Sequence, residues 1–364
     1  MFWIGNWLLL TSGEVMAKSA LITGVTGQDG AYLADFLLKK NYKVFGTFRR
    51  LSTPNFWRLQ YLKLSDKLAL IPADLMDTSS IIEAIHLSEP DEIYNLAAQS
   101  HVGASFEQPV GTTEITGIGA TRILEAIRHI NPKIRFYQAS TSELYGNSNE
   151  VPQKETTPFS PASPYAAAKL YAYWLTRMYR EAYGIFAANG ILFNHESPIR
   201  GMEFVTRKVT NAVARIKMGL EKHLVLGNLD SKRDWGYAPE YVEAMWLMLQ
   251  QDRPEDFVIA SNETHSVEEL AQFAFAAVGL NWQDHVKLDK RFTRPLDVVN
   301  LQGDFSKAQK HLGWSPKTKF AKLIELMVHE DCERWQRHLK GETFPWDAPN
   351  YREEAQIITR ALRS

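Results

Sequence analysis

Residues 19–39 read SALITGVTGQDGAYLADFLLK. The short run Ser19–Thr23 has the look of a strand; it enters a turn with glycines at 24, 27 and 30. The chain leaves that turn on a helical pattern that puts Leu33, Phe36 and Leu37 on one face. Strand, glycine turn and helix form the arrangement in which N–H groups at a helix start hold a dinucleotide pyrophosphate, and glycine lets the backbone approach phosphate with no β-carbon between them. The spacing is GxxGxxG rather than the commoner GxGxxG, so each glycine's part shifts slightly. A plain glycine-rich turn is the competing reading of the same residues.

Outward from this unit, strand-like runs recur at 43–48 (KVFGTF), 68–73 (LALIPA), 92–97 (EIYNLA), 134–140 (IRFYQAS) and 186–193 (FAANGILF), with helical patterns between them. One of those helices carries Ile123, Leu124 and Ile127 on one face. Such alternation predicts an α/β fold, a doubly wound parallel-sheet Rossmann domain, since each crossover is long enough for a right-handed βαβ unit. The clearest helix spans 164–183, with Ser163 suited to the N-cap, Pro164 to the first position and Gly184 to the residue past the end. After about residue 194 the pattern changes to longer loops with short elements, which predicts a smaller, discontinuous α+β substrate lobe. A helix at 239–249 and a strand at 257–260 return to the first lobe. The expected division is therefore 17–194 plus about 236–261 for the dinucleotide-binding domain, and about 195–235 plus 262–340 for the smaller lobe. Residues 1–16 and 341–364 read as terminal extensions.

Lys and Arg number 41 and Asp and Glu 42 in 364 residues, a net charge of −1 that gives no polyanionic or membrane-surface partner any footing. Nucleic acid is not an expected partner. The first ten residues are apolar but interrupted by Gly5 and Asn6, short of the ~20 residues a membrane span requires. They lack the basic start and small-residue cleavage pattern of an export signal, and Met16 reads as a natural start. With Cys332 the only cysteine, no intrachain disulfide, thiolate zinc cluster or CxxC pair can form, so no metal site is expected and the cytoplasm fits best.

The second strand ends in Phe48-Arg49-Arg50, with no acid from Tyr42 to Arg50 to grip a ribose 2′-hydroxyl. Guanidinium forks match a 2′-phosphate, so the cofactor expected is NADP. Tyr165 and Lys169 stand four apart on one helix face, and Tyr165 lies in the first turn. A nearby ammonium and the helix dipole are expected to lower the phenol below its ordinary value of ~10, making Tyr165 a base toward a hydroxyl. Ser140-Thr141-Ser142-Glu143 follows the 134–140 strand at the carboxyl edge, where such sheets bind ligands. Taken singly, these residues also read as a helix-surface pair, a turn hydroxyl and a solvated loop acid.

The segments GVTGQDGAYLADFLL, NLAAQSHVGASFEQP, QASTSELYG, SPYAAAKLYAYW, ILFNHESP, FVTRKVTNAVARIK and RDWGYAPEYVEAMW together resemble the extended short-chain dehydrogenase/reductases, and within them the GDP-mannose 4,6-dehydratase family. The likeness runs from about Ser19 to about Phe320. It implies a redox-neutral dehydration of GDP-mannose, with Tyr165 assisted by Lys169 and Thr141 at the 4-hydroxyl and Glu143 removing the C5 proton. It also implies that the cofactor meets Gly24, Val25, Thr26, Gly27, Gln28, Asp29, Arg49, Asp74, Leu75, Leu96, Ala97, Ala98, Gln99, Ser100, Lys169, His195 and Arg200. Asn194, Lys208, Arg233 and Arg294 are the implied substrate-side groups, and a homo-oligomer, dimer or tetramer, is implied. Dehydratases acting on dTDP-glucose carry an Asp at the position of Ser142, so here Glu143 itself or a water is left to protonate the leaving hydroxyl. The alternatives are a dehydratase of another GDP sugar such as a GDP-heptose, a nucleotide-sugar epimerase or reductase, and a catalytically inactive nucleotide-binding protein. Glu143 disfavours the epimerase and reductase, which generally lack a carboxylate at that position.

Overall fold

The computed structural model describes residues 17–52, 55–289, 298 and 300–342; Arg294 and both extensions, apart from Gly341 and Glu342, lie outside the described residues. The first part alternates β1 (Ser19–Thr23), α1 (Gln28–Lys39), β2 (Lys43–Phe48), α2 (Trp57–Tyr61), β3 (Ala69–Pro72), α3 (Thr78–Ser88), β4 (Glu92–Asn95), α4 (Val102–Glu107), α5 (Pro109–Thr112), a π-helical turn (Thr113–Ile118), α6 (Gly119–Ile130), β5 (Arg135–Thr141), α7 (Pro164–Tyr183) and β6 (Ala187–Leu192). The second part follows as β7 (Asn194–Glu196), α8 (Val205–Lys217), β8 (Leu224–Leu226), β9 (Lys232–Arg233), β10 (Trp235–Tyr237), α9 (Ala238–Leu249), β11 (Phe257–Ile259), β12 (His265–Ser266), α10 (Val267–Ala276), β13 (Val286–Leu288), β14 (Asn300–Leu301), α11 (Ser306–Leu312) and α12 (Phe320–Leu339).

The seven-stranded sheet has the order β11-β6-β5-β4-β1-β2-β3, and its strand pairs are all parallel. Buried on both faces, its strands read as apolar runs, and the period of two sorts their side chains between two layers. Ala20 and Ile22 of β1 face a layer with Leu33 and Leu37 of α1 and Val242, Met245 and Leu249 of α9. Leu21 faces the other way, toward Ile81 and Ile85 of α3 and Ile123, Leu124 and Ile127 of α6. The expected parallel Rossmann-type sheet is thus the one observed.

Between β1 and β4 the strand order reverses, and at such a point the loops leaving the carboxyl ends splay apart and open a crevice. Short strands form β10–β7, β12-β9-β14 and β13–β8 ladders beside it. A separate core joins α8, α10 and α12 through Val213, Phe275, Phe320 and Ile324, with Trp235 of β10 among them. Helix α7 starts and ends where its caps dictate. The Ser163 hydroxyl accepts from the Ala166 N–H, Pro164 takes the first turn, and Gly184 closes the helix at φ +67. Such an N-cap contributes about 1 kcal/mol.

Candidate active site

The glycine turn sits at the end of β1, where Gly24 holds φ +69 and a β-carbon on it would come within 2.9 Å of Ala97 Cα. A β-carbon on Gly30 would stand 2.5 Å from the Gly24 carbonyl oxygen, so helix and strand can pack this closely only around glycine. Gly27 is the N-cap of α1 and supplies no side-chain acceptor. The first N–H groups of α1 therefore have no intrahelical or capping partner, which is the chemistry a pyrophosphate satisfies. The residues present fit a nicotinamide dinucleotide.

A crevice of about 760 Å³ opens beside this turn. It is lined by Thr141, Glu143, Tyr165 and Lys169, by Asp29, Leu96, Ala98, Ser100, His195 and Arg200, and by Asn194, Lys208 and Arg233. The remaining positions expected to meet the cofactor lie outside its lining. Val25 is fully buried in the core, and the Gln28 side-chain amide donates to the His195 carbonyl at 3.1 Å and accepts from Ser197 at 2.7 Å. Asp74 accepts from the Met76 N–H at 3.0 Å in the turn after β3, and Leu75 packs beside Gly119. Arg49 is exposed at the end of β2. Leu96 and Ala97 donate their N–H groups to the Thr23 hydroxyl, each at 3.1 Å, and Gln99 donates to Thr116 in the π-helical turn at 3.1 Å.

Thr141 ends β5 and accepts from the Glu143 N–H at 3.2 Å, fixing the bend that turns Glu143 into the crevice. Tyr165 and Glu143 are each 8% exposed, and the Glu143 carboxylate makes no hydrogen bond or ion pair among the described residues. The Lys169 ammonium donates to the Ala139 carbonyl at 2.7 Å and stands 5.9 Å from the centre of the Tyr165 ring. Here the expectation of a lowered phenol pKa is corrected. Burial pushes Tyr165 up, Glu143 adds to the rise, and the Thr141 hydrogen bond opposes it without winning. Burial also brings Lys169 down to about 8. Counting charges on the helix missed the loss of water around the phenol.

Across the turn, His195 Nε2 meets Asp29 at 2.8 Å while Nδ1 meets the Phe193 carbonyl at 2.7 Å, and the ring stacks on Tyr241 at 4.6 Å. Both ring nitrogens face acceptors, so the geometry suits an imidazolium. Burial opposes that charge, but the Asp29 carboxylate outweighs it and His195 is raised. Burial likewise opposes the Asp29 charge, but His195, Gln28 and Arg200 prevail and bring Asp29 from 3.8 to about 2. A lowered carboxylate adds stability above its unfolded value that is lost as pH falls through the folded value. A raised histidine adds stability below about 6.5 that is lost as pH climbs through its folded value. Asp29→Asn is therefore expected to cost roughly 2 kcal/mol between about pH 4 and 6.5, and progressively less toward about pH 2. Denaturant unfolding of both proteins across that range checks it; a pH-independent difference sinks it.

Several further lining residues were not singled out by the sequence as part of a site. Phe204 lies beneath the Arg200 guanidinium at 3.5 Å and meets His101 edge-on at 6.1 Å. Asn228 and Ser231, bonded at 2.9 Å, belong to a turn after β8, and Trp235 comes from β10. Phe204 and Trp235 fall within segments that carry the resemblance, but nothing local marks these four as facing a crevice, since only the packing of the short strands brings them here. Among the described residues no helix is long and apolar enough to cross a membrane, and no group of His, Cys, Asp and Glu could hold a metal ion.

The GDP-mannose 4,6 dehydratase family model matches residues 21–327. The chain is 53% identical over 330 residues to GDP-mannose 4,6 dehydratase 1 of Arabidopsis thaliana, covering 88% of this chain and 91% of that one. It is 50% identical over 340 residues to the Homo sapiens GDP-mannose 4,6 dehydratase, covering 86% and 91%. Among solved structures, a dTDP-glucose 4,6-dehydratase from Bacillus anthracis in complex with NAD superposes with a TM-score of 0.77 at 20% identity, over 89% of this chain and 98% of that one. RMD from Pseudomonas aeruginosa complexed with NADPH gives 0.72 at 22%, over 87% and 100%. At those identities the two structures speak for the fold alone.

Proposed function

The chain belongs to the GDP-mannose 4,6-dehydratase family, and on that premise we propose that Thr141, Glu143, Tyr165 and Lys169 carry its reaction, the conversion of GDP-mannose to GDP-4-keto-6-deoxymannose and water, with NADP as resident cofactor. The observation that carries the proposal is that Glu143 and Tyr165 line one crevice. A second acid/base beside the tyrosine is what dehydration needs and simple oxidation at C4 does not.

Gly24, Val25, Thr26, Gly27, Gln28 and Asp29 would form the pyrophosphate side, with the N–H groups at the start of α1 as donors, while the Val25 and Gly27 N–H groups already bond Thr47 and Gly24 carbonyls and shape the turn. Arg49 would meet the 2′-phosphate, and Asp74, Leu75, Leu96, Ala97, Ala98, Gln99 and Ser100, with His195 and Arg200, would complete the cofactor's wall. When bound, the nicotinamide supplies the hydride acceptor at C4 and the donor at C6, so the redox change closes within one turnover. Tyr165 takes the 4-hydroxyl proton through its phenolic oxygen, with the Thr141 hydroxyl bonded to it and the Lys169 charge nearby. The 4-ketone acidifies C5, and the Glu143 carboxylate removes that proton. The protonated Glu143, or a water it orients, then delivers a proton to the departing 6-hydroxyl, and with hydride back at C6 a proton from solvent restores C5 while Tyr165 gives up to solvent the one it took. Asn194, Lys208 and Arg233 offer an amide and two cations to the GDP moiety. Lys208 is half-buried, and burial lowers its pKa. The two-lobe division set out above belongs to this reading, with the crevice between the lobes.

GDP-mannose deuterated at C4 should yield product labelled at C6, with no net build-up of NADPH. Label released to solvent, or steady NADPH production, would overturn the reading.

The protein is further read as a homo-oligomer. Tyr171, Trp174 and Met178 stand at i, i+3 and i+7 on α7 and are 39%, 46% and 48% exposed, an apolar stripe on the solvent side of the helix. Trp174→Asp is expected to reduce the particle mass in light scattering toward that of one chain; an unchanged mass would move the interface elsewhere.

A further inference from the structure

Beyond β7 the segment Ser197–Arg200 turns sharply, its Arg200 N–H bonding the Ser197 carbonyl at 3.0 Å. The three carbonyls that follow Ser197 are each held by a guanidinium. Pro198 O accepts from Arg207 Nη1 at 2.5 Å and from Arg334 Nη2 at 3.1 Å. Ile199 O accepts from Arg58 Nε at 2.8 Å, and Arg200 O from Arg207 Nη1 at 3.0 Å. Arg207 and Arg334 are almost wholly buried and share one carboxylate, Asp331, which also accepts from Thr210 at 2.7 Å. Arg334 also pairs with Glu330 at 3.8 Å, and the carbonyl dipoles of this turn take up further guanidinium donors of both arginines.

Arg58 differs from the other two arginines in what it joins. Its Nε holds Ile199 O while its Nη1 donates to Thr26 O at 3.1 Å, inside the glycine turn. It is half-buried, lies over the Trp57 ring at 4.4 Å, and does not line the crevice. One planar fork thus spans two backbone segments that face each other across the start of α1. One segment carries the glycine cradle and Asp29; the other carries His195 and Arg200.

We propose that Arg58 is a positioning residue for the dinucleotide site: by bonding Thr26 O and Ile199 O together it sets the separation between the glycine turn and the Ser197–Arg200 turn, while Arg207, Asp331 and Arg334 hold the second turn from behind. This rests on the reading that those two turns contact NADP. The geometry needs a guanidinium, because a lysine ammonium is a point charge that cannot present two donors in this fixed fork. Burial brings Arg58 down to about 10, so the fork stays charged at neutral pH.

The test is isothermal titration of NADP into the full chain, with melting temperatures recorded alongside. Arg58→Ala is expected to bind NADP about tenfold more weakly, the scale of losing one charge-assisted bond. Millimolar methylguanidinium should restore most of that affinity, and Arg58→Lys should recover only part of it. A purely structural role predicts a lower melting temperature with no rescue of affinity by methylguanidinium, and that result overturns the proposal. So does an Arg58→Ala affinity within about twofold of the parent. His195→Ala and Arg200→Ala separate the two levels of the argument. If they weaken NADP binding and Arg58→Ala does not, the positioning role fails alone; if they too leave it unchanged, the site reading itself fails.

Discussion

Glu143→Gln is expected to lower turnover of GDP-mannose by roughly 10²- to 10⁴-fold, the range a positioned acid/base contributes. The amide keeps the volume of the carboxyl, so no cavity opens in a site where Glu143 is only 8% exposed. On the proposed assignment, what disappears is the proton acceptor at C5. The first half of the reaction does not need that group, so a single turnover should still oxidise C4 and show reduced nicotinamide absorbance that persists. Water loss, followed as keto-deoxy product, should stop. Near-parental turnover would reassign the base to another group in the crevice.

Tyr165→Phe should cost a similar factor, roughly 10²- to 10⁴-fold, but at the earlier step. No reduced nicotinamide should appear even in a single turnover, which separates it from the Glu143 variant. The raised phenol makes this a demanding base. Burial favours the neutral hydroxyl, and within the described protein the opposing influences named above do not overcome it. The Arg200 guanidinium already pulls the phenol down; the Lys169 ammonium, held against Ala139 O, and the charge an oxidised nicotinamide would bring are the further cations available to lower it during the reaction. Lys169→Met should therefore move the acid limb of the kcat profile to higher pH, and an unmoved limb would deny Lys169 an electrostatic part.

Much of the fold was legible because it rests on local chemistry. The strands of the large sheet fall within one or two residues of the apolar runs, and α7 begins and ends on Ser163 and Gly184, where capping requires. The turn after β1 needs glycine at 24 and 30 whatever surrounds it, because the Gly24 φ and the Gly30 contact are set within seven residues. Spacing put Thr141 and Glu143 at a strand end and Tyr165 and Lys169 on one helix face, but it left them open to plain structural readings, and the resemblance to the family is what singled them out.

Distance along the chain marks where that legibility ends. His195 meets Asp29 across 166 positions, and Arg207 meets Asp331 across 124. No periodicity pairs residues so far apart; only the sheet order and the packing of α8 on α12 do. The sequence by itself determined the parallel α/β class and the glycine turn, and set Thr141, Glu143, Tyr165 and Lys169 at a strand end and a helix start, since each depends on neighbours a few residues away. The tertiary structure alone decided which charges face one another and how much water surrounds the phenol, since proton affinity depends on solvent and on partners that folding brings together.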